Sequence, residues 1–280
     1  MPSHSVTPPA GLTGQPSGRT TPSLVLTSAD RARFGRDPAR SIAANLQAVR
    51  DRIAAACHRS GRQPEDVRLL PVTKTVPAPI LRLAVAAGLG GFGENKLQEA
   101  RDKQAVLGDL PIRWSIIGHL QTNKVRHLVR LATEFHALDS LRLAEELNRR
   151  LEAEGRNLDV FVQVNTSGED SKYGLRPDEL MPFAERLPQY PRLRPRGLMT
   201  LAVFSAEAER VRRCFRLLRA LRDRAMAVHP GLTQLSMGMS GDYDVAIEEG
   251  ADVVRVGQAL FGPRPASDAL YWPGPLSPGT

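Results

Sequence analysis

The chain has 280 residues, of which 41% are hydrophobic and 24% charged, with a formal net charge of +8. No apolar run approaches the roughly 20 residues that span a bilayer, and the amino terminus lacks the apolar core of a secretory signal. The two cysteines, Cys57 and Cys214, show neither metal-ligand spacing nor a disulfide framework. We therefore expect a globular cytoplasmic protein with no membrane contact.

The positive charge comes almost entirely from arginine. Of the 38 basic residues only five are lysines, and the arginines are scattered among acidic residues on helix faces, as in residues 142–154 and 207–224. No basic patch interleaved with aromatic residues is present. This pattern favours a solvated surface over nucleic-acid binding. Lysine, unlike arginine, can form an imine, so the few lysines are candidates for chemistry.

The two ends of the chain differ in composition from its middle. Residues 1–37 are rich in Pro, Ser, Thr and Gly without hydrophobic periodicity, which predicts a disordered extension. Residues 265–280 form a Pro-rich tail that we expect to be irregular. Between them, residues 38–264 are predicted to form one folded domain that starts with a helix from Ser41, ending at Gly61.

After that helix, strands and helices alternate along the chain. Each strand is a short apolar run, and a helical stretch follows each one. The predicted strands are 67–73, 91–93, 114–118, 135–138, 158–164, 197–201, 234–237 and 252–256.

Eight such units predict an α/β fold, a single (β/α)8 TIM-type barrel with an extra N-terminal helix. A doubly wound open sheet is the alternative, although its usual five or six strands fit this count less well. In a barrel the carboxyl ends of all strands meet at one rim, where the chemistry of these folds is found.

Lys74 is the most informative residue at that rim. The apolar run from Leu69 ends in Thr73 and Lys74, immediately before the helical stretch that begins near Pro77. Taken alone, a lysine at a strand end could simply extend its ammonium group into solvent. Its place among other polar strand-end residues favours a functional amine.

The last two predicted strands end in turns suited to an anion. Met239, Ser240 and Gly241 follow one strand, and Gly257 and Gln258 follow the other before a short helix. Loops at these two positions form the common phosphate site of such barrels, because backbone N–H groups and a helix dipole point at the ligand. With Lys74 on the same rim, these turns suggest a phosphorylated carbonyl compound held as an imine.

Arg255 lies one residue before the end of the last strand. Strand alternation sets it on the opposite side from Val254 and Val256. An arginine facing the barrel mouth could contact the ring nitrogen of pyridoxal phosphate. A surface ion pair with a carboxylate at the rim explains the spacing equally well.

Seven blocks of this sequence resemble the signature blocks of the pyridoxal phosphate homeostasis protein family. They occur in order over nearly the whole predicted domain. They are LPVTKT (70–75), FGENKLQE (92–99), IGHLQTNK (117–124), VNTSGEDSKYG (164–174), GLMT (197–200), LSMGMS (235–240) and VRVG (254–257).

The resemblance implies a barrel like the N-terminal domain of alanine racemase, with pyridoxal 5'-phosphate bound as a Schiff base on Lys74. It implies that Ser240, Gly257 and Gln258 bind the phosphate, that Arg255 faces the ring nitrogen and that Asn95 lines the pocket. Met239, in the same turn as Ser240, completes the set of cofactor-binding candidates. The family usually has threonine where this chain has Gln258, so one hydroxyl donor is replaced by an amide.

The resemblance also implies intracellular homeostasis of the cofactor, held and delivered without substrate turnover. A racemase needs a second acid or base on the opposite face of the cofactor, usually from another domain or subunit, and the predicted single domain offers none. A pyridoxal-phosphate-dependent amino-acid racemase is the main alternative; a decarboxylase, a cofactor-free Schiff-base aldolase and a nucleic-acid-binding regulator are the others. We expect a monomer or weak dimer whose partners are pyridoxal phosphate and apo enzymes that need it.

Three further residues of the motifs have two interpretations each. His119 could cap the following helix, which we favour, or transfer protons. Lys172 and Tyr173, on a loop with Gly168 and Gly174, could guide the cofactor or be solvated. Two other lysines, Lys96 and Lys103, are predicted to face solvent on one helix, and Lys124 has no assigned role.

Overall fold

The structure is a computed structural model that describes residues 25–263. The predicted disorder of residues 1–24 and the predicted Pro-rich tail, 265–280, lie outside the described residues. The predicted domain boundaries at 38 and 264 stay predictions.

Eight strands and ten α-helices alternate along the described chain. The strands are β1 (Arg68–Pro71), β2 (Gly91–Glu94), β3 (Arg113–Ile116), β4 (Glu134–Leu138), β5 (Leu158–Gln163), β6 (Leu193–Met199), β7 (Gln234–Ser236) and β8 (Val253–Val256). The helices are α1 (Ser28–Phe34), α2 (Pro38–Arg59), α3 (Ala78–Ala86), α4 (Leu97–Val106), α5 (Val125–Leu131), α6 (Leu141–Ala153), α7 (Leu180–Arg186), α8 (Ala208–Val228), α9 (Tyr243–Glu248) and α10 (Gln258–Phe261).

The strands form one parallel sheet that nearly closes into a barrel. Their order is β1-β8-β7-β6-β5-β4-β3-β2, so β1 pairs with the last strand. A parallel bridge between Val72 and Gly93, with a 3.0 Å hydrogen bond from the Thr73 N–H to the Gly93 carbonyl, joins β1 to β2. The predicted (β/α)8 barrel with an extra N-terminal helix is confirmed, and the open doubly wound sheet is excluded by this closure.

The local sequence explains why these elements form. Ser140 caps α6 by accepting a hydrogen bond from the Leu143 N–H, as its position before the helix predicts. In β5 the side chains of Val160, Phe161 and Val162 are all buried, because helices cover the outside of the barrel while side chains fill its interior.

The segment before the barrel differs from the prediction. Residues 28–34, expected within a disordered extension, form α1. Thr27 and Asp30 form a reciprocal capping box at its start, and Phe34 at its end is 7% exposed and part of the core. A cap and one buried aromatic side chain therefore order a helix that composition alone did not indicate.

Across residues 25–263 we find no helix that is both long and apolar enough to cross a membrane.

Candidate functional site

Lys74 lies beyond the end of β1, and its side chain is half-buried. It lines a pocket together with Val72, Gly257 and Gln258. Because β1 pairs with β8, with Pro71 opposite Val256, the two strand ends place Lys74 beside the turn after β8. The lysine and one of the two predicted anion-binding turns therefore share one pocket.

The turn after β7 contacts the turn after β8. The Ser240 hydroxyl oxygen accepts hydrogen bonds from the N–H groups of Gly257 at 3.2 Å and Ala259 at 3.4 Å. The Met239 N–H donates to the Asp242 carboxylate at 2.6 Å, which fixes the turn. Together the two turns hold a hydroxyl and backbone N–H groups at one place, a donor set that suits a phosphate.

Glycine is required at the start of the first of these turns. Gly238 has φ of +93°, and a Cβ there would lie 2.7 Å from the Cβ of Ala246 and 2.9 Å from the Cα of Tyr243. Any side chain would be strained in this conformation and would push the turn away from α9. The close packing of backbone against helix sets where Ser240 stands.

The remaining pocket candidate, Asn95, lies one strand away. It follows β2 and is half-buried, and its backbone packs so closely against Gly118 that a Cβ at Gly118 would collide with the Asn95 carbonyl. Among the described residues, Asn95 does not line the pocket that contains Lys74. The structure thus groups Lys74, Gly257, Gln258 and Ser240, and it leaves Asn95 on the neighbouring strand end.

Arg255 is buried in the barrel interior, with 3% of its surface exposed. Its Nη1 donates to the Ser236 hydroxyl at 2.9 Å and its Nη2 donates to the Thr200 carbonyl at 2.7 Å. Burial lowers its pKa to about 10, which still leaves the guanidinium protonated at neutral pH. The alternative of a surface ion pair is wrong, because Arg255 is buried and forms no ion pair with a carboxylate of residues 25–263.

A chain of hydrogen bonds continues from Arg255 through the barrel. Ser236 Oγ lies 3.0 Å from His136 Nδ1, and His136 Nε2 lies 2.9 Å from Glu134 Oε2. Arg68 donates to both oxygens of Glu134, at 3.1 and 2.7 Å. One row of hydrogen-bonded polar side chains therefore connects the arginine near the rim with the amino-terminal end of the barrel.

The protonation states along this row follow from its partners. Burial lowers the pKa of His136, which makes the imidazole neutral. Burial opposes ionisation of Glu134, but the hydrogen bonds from His136 and Arg68, together with the positive charge of Arg68, hold its pKa well below the usual range. A carboxylate accepts only, so His136 donates through Nε2 and its Nδ1 accepts the Ser236 proton. Ser236 Oγ is then left to accept from Arg255, which fixes the guanidinium from inside the barrel.

A second buried cluster holds the backbone on both sides of Lys74. Lys103 Nζ donates to the Thr73 carbonyl at 2.7 Å and to Glu94 Oε1 and Glu99 Oε1, each at 2.6 Å. Glu94 Oε1 also accepts from the Thr73 hydroxyl at 2.6 Å. Glu99 Oε1 accepts from the Thr75 N–H at 2.6 Å. We call Glu94, Glu99 and Lys103 the Lys103 cluster.

The prediction that Lys103 faces solvent is wrong, whereas Lys96 is exposed as expected. Lys103 is 7% exposed, and the buried residues of α4 are Leu97, Ala100 and Lys103. Their spacing of three residues puts all of them on one face of the helix. That spacing was the sequence signal for a buried Lys103. A lysine is rarely buried unless it is paired, however, and the pairing with Glu94 cannot be seen in a single sequence.

His119 and the loop with Lys172 and Tyr173 form contacts that the sequence did not indicate. The His119 ring stacks on Tyr173, with centroids 4.0 Å apart, and its Nδ1 lies 3.3 Å from Asp139 Oδ2. Its favoured interpretation as a helix cap is wrong, since Lys124 is the N-cap of α5. Lys172 Nζ donates to the Ala202 carbonyl at 2.7 Å and pairs with Glu169, so it ties the loop after β5 to the loop after β6.

Comparison with known proteins identifies a matching family model and several similar sequences. A family model described as the N-terminal domain of alanine racemase matches residues 44–265. The pyridoxal phosphate homeostasis protein of Pseudomonas aeruginosa is 46% identical over 224 residues, which cover 80% of this chain and 96% of that protein. The protein of the same name from Aquifex aeolicus is 42% identical over 220 residues, covering 78% and 96% of the two chains.

Solved structures agree with the barrel. PipY of Synechococcus elongatus, solved with pyridoxal phosphate bound, is 36% identical with a TM-score of 0.70 and covers 79% of this chain and 100% of that one. Alanine racemase from Corynebacterium glutamicum has a TM-score of 0.64 at 16% identity, over 82% of this chain and 63% of the racemase. The second likeness supports the fold alone.

Replacing Lys103 with methionine should destabilise the fold strongly. The substitution removes the cation that pairs with Glu94 and Glu99 and leaves a buried carboxylate uncompensated, so we expect a loss of about 3–5 kcal/mol in the free energy of unfolding. Lys96→Met, on the exposed start of the same helix, is the matched control and should change it by less than about 0.5 kcal/mol. Urea unfolding measures both, and similar losses in the two variants would contradict the assigned role of the cluster.

Glu94 should make the folded protein less stable as pH rises, whereas an ordinary paired carboxylate makes it more stable. Burial raises its pKa in the folded protein to about 7 from a model-peptide value of 4.5, so the folded state binds the extra proton between these two values. Its contribution to stability therefore falls as pH rises from about 4.5 to about 7.

Unfolding of the wild type and of Glu94→Gln across this pH range isolates the effect. The variant stays neutral at this position, so the wild type should lose about 2–3 kcal/mol relative to it between pH 4.5 and pH 7. Parallel stability curves for the two proteins would show that Glu94 does not titrate in this window.

Proposed function

Because the chain belongs to the pyridoxal phosphate homeostasis protein family, we propose that it binds pyridoxal 5'-phosphate as a Schiff base on Lys74. The observation that carries this proposal is the position of Lys74 beside Gly257 and Gln258, the turn after β8. An amine that can form an imine and a turn that can bind a phosphate lie in one place, as an aldehyde with a phosphate group requires.

The residues fit the cofactor in several respects. Ser240 bonds the amides of the turn after β8, which supports the assignment of Ser240, Gly257 and Gln258 to the phosphate. Arg255 is held from inside the barrel, in keeping with a role at the ring nitrogen. Met239 is assigned to the pocket through the turn that it shares with Ser240, and Asn95 through its place at the end of the neighbouring strand β2.

The protein's own groups would prepare Lys74 for this task. An imine forms from the neutral amine of a lysine, and Lys74 lies half-buried beside the turn after β8. The Lys103 cluster fixes the residues on either side of it. When bound, the cofactor supplies an electrophilic aldehyde and an electron-withdrawing ring, and an arginine at its ring nitrogen weakens that withdrawal because it donates no full proton.

We propose further that the bound cofactor is kept and delivered rather than used in turnover. The homeostasis proteins of other organisms match this chain over nearly their whole length, 96% in the two bacterial relatives above. Delivery to apo enzymes, a cytoplasmic location and a monomeric or weakly dimeric state stay predictions from the sequence.

Absorbance spectroscopy with Lys74→Ala tests the anchor. The wild type mixed with pyridoxal phosphate should turn yellow and lose that absorption on borohydride reduction, and Lys74→Ala should remain colourless. Lys96→Ala, an exposed lysine outside the pocket, should behave as wild type. An unchanged yellow species in Lys74→Ala would place the anchor on another lysine, and no yellow species in the wild type would reject the cofactor.

The racemase alternative is tested on the same preparation. A yellow wild-type protein should leave a panel of L-amino acids unracemised over hours, as followed by chiral chromatography. Steady racemisation of any of them would contradict a holding role and support the enzyme.

Ser240→Ala should weaken retention of the cofactor without preventing its attachment. The hydroxyl holds the turn amides in place, so its loss should speed cofactor release about three- to tenfold, the range for one hydrogen bond. Ser60→Ala, at the end of α2, is the control. Release is followed by transfer to an excess of apo enzyme, and equal rates in wild type and Ser240→Ala would locate the phosphate elsewhere.

A further inference from the structure

The helix α1 contributes Arg33 to the pocket that contains Lys74. This helix lies outside the part of the chain that matches the alanine racemase family model. That match begins at residue 44, whereas α1 ends at Phe34. The capping box at Thr27 starts the helix and the buried Phe34 attaches its end to the core. The position of its last turn, and of Arg33 within it, is therefore set by local sequence and packing.

Arg33 bridges the two segments that border the pocket. Its Nη1 donates to the Thr75 carbonyl at 2.5 Å and its Nη2 donates to the Thr75 hydroxyl at 3.2 Å. Its Nε donates to the Pro263 carbonyl at 3.3 Å. Thr75 is next to Lys74, and Pro263 follows the short helix that begins after Gly257. The guanidinium thus joins the lysine loop to the segment after α10, the helix that begins at the predicted phosphate turn.

The same guanidinium lines the pocket. Arg33 contributes to its wall together with Lys74, Gly257 and Gln258, and among the described residues of that wall Arg33 and Lys74 are the cationic ones. Backbone amides, the Ser240 hydroxyl and the Gln258 amide are neutral donors, and the nitrogen of Lys74 is used by the proposed Schiff base. A phosphate monoester carries close to two negative charges at neutral pH, and the guanidinium of Arg33 adds positive charge to the wall of this pocket.

We propose that Arg33 is a further cofactor-binding residue, which pairs with the phosphate group of the bound cofactor. This inference rests on the proposed function. Arginine suits the role because each of its two terminal nitrogens carries two N–H groups, of which one donates to Thr75, and because it keeps its charge at all physiological pH values. In this chain it adds a charged donor where Gln258 replaces the hydroxyl expected from the family pattern.

The test compares two ligands that differ only in the phosphate. Dissociation constants for pyridoxal phosphate and for pyridoxal are measured by absorbance titration of the full chain. The proteins are the wild type, Arg33→Ala, Arg33→Lys and Arg31→Ala. Arg31 lies on the same helix, is exposed and bonds only the Arg36 carbonyl among the described contacts, so it controls for surface charge.

Arg33→Ala should weaken pyridoxal phosphate binding about tenfold or more, as expected for one charge-assisted hydrogen bond, and change pyridoxal binding less than about twofold. Arg33→Lys should recover part of the loss, and Arg31→Ala should match the wild type. Equal weakening of both ligands would show that Arg33 only ties the loop, and no weakening would show that it plays no part. Either result overturns the proposal.

Two additions keep the outcome decisive. Arg33→Gln retains a donor toward Thr75 but removes the charge, so it repeats the comparison if the alanine variant unfolds. The wild type separates this proposal from the proposed function: absence of a borohydride-sensitive yellow species rejects the cofactor itself. If the wild type turns yellow but the Arg33 variants lose affinity equally for pyridoxal phosphate and pyridoxal, only the role of Arg33 is rejected.

Discussion

The buried Lys103 cluster is the contact on which the candidate site depends. Lys103 joins the carboxylates of Glu94 and Glu99 to the carbonyl of Thr73, and Glu99 also accepts from the N–H of Thr75. The residues before and after Lys74 are thereby tied to β2 and α4. Thr75 adopts φ of +64°, an uncommon conformation for threonine, and Glu99 on one side and Arg33 on the other hold it there.

Closure of the barrel brings this ordered loop against the turn after β8. The Val72 N–H donates to the Val256 carbonyl at 2.8 Å while the Thr73 N–H donates to the Gly93 carbonyl at 3.0 Å, so the end of β1 is bonded to strands on both sides. Gly257 packs against Val72 with so little space that a Cβ there would lie 3.2 Å from the Val72 carbonyl. Strand pairing consequently holds the lysine and the turn after β8 at a fixed separation.

Sequence was sufficient for the barrel because each strand is a short apolar run followed by a helical one. It also predicted the rim, since residues at strand ends are fixed by chain order. Sequence could not supply the long-range partners that decide which polar side chains are buried. Lys103 is buried because it pairs with Glu94, and Arg255 is buried because Ser236 and Thr200 accept its hydrogen bonds. Residues 28–34 were missed because a seven-residue helix with one buried aromatic side chain has too little periodicity to detect.

The central claim is that Lys74 and the turns after β7 and β8 hold one phosphorylated aldehyde between them. A crystal structure of the protein grown with pyridoxal phosphate tests it most directly. The account predicts continuous electron density from Lys74 Nζ to the cofactor, with the phosphate at Ser240 and Gly257 and the ring nitrogen facing Arg255. Density joined to another lysine, or a phosphate bound away from these turns, would contradict it.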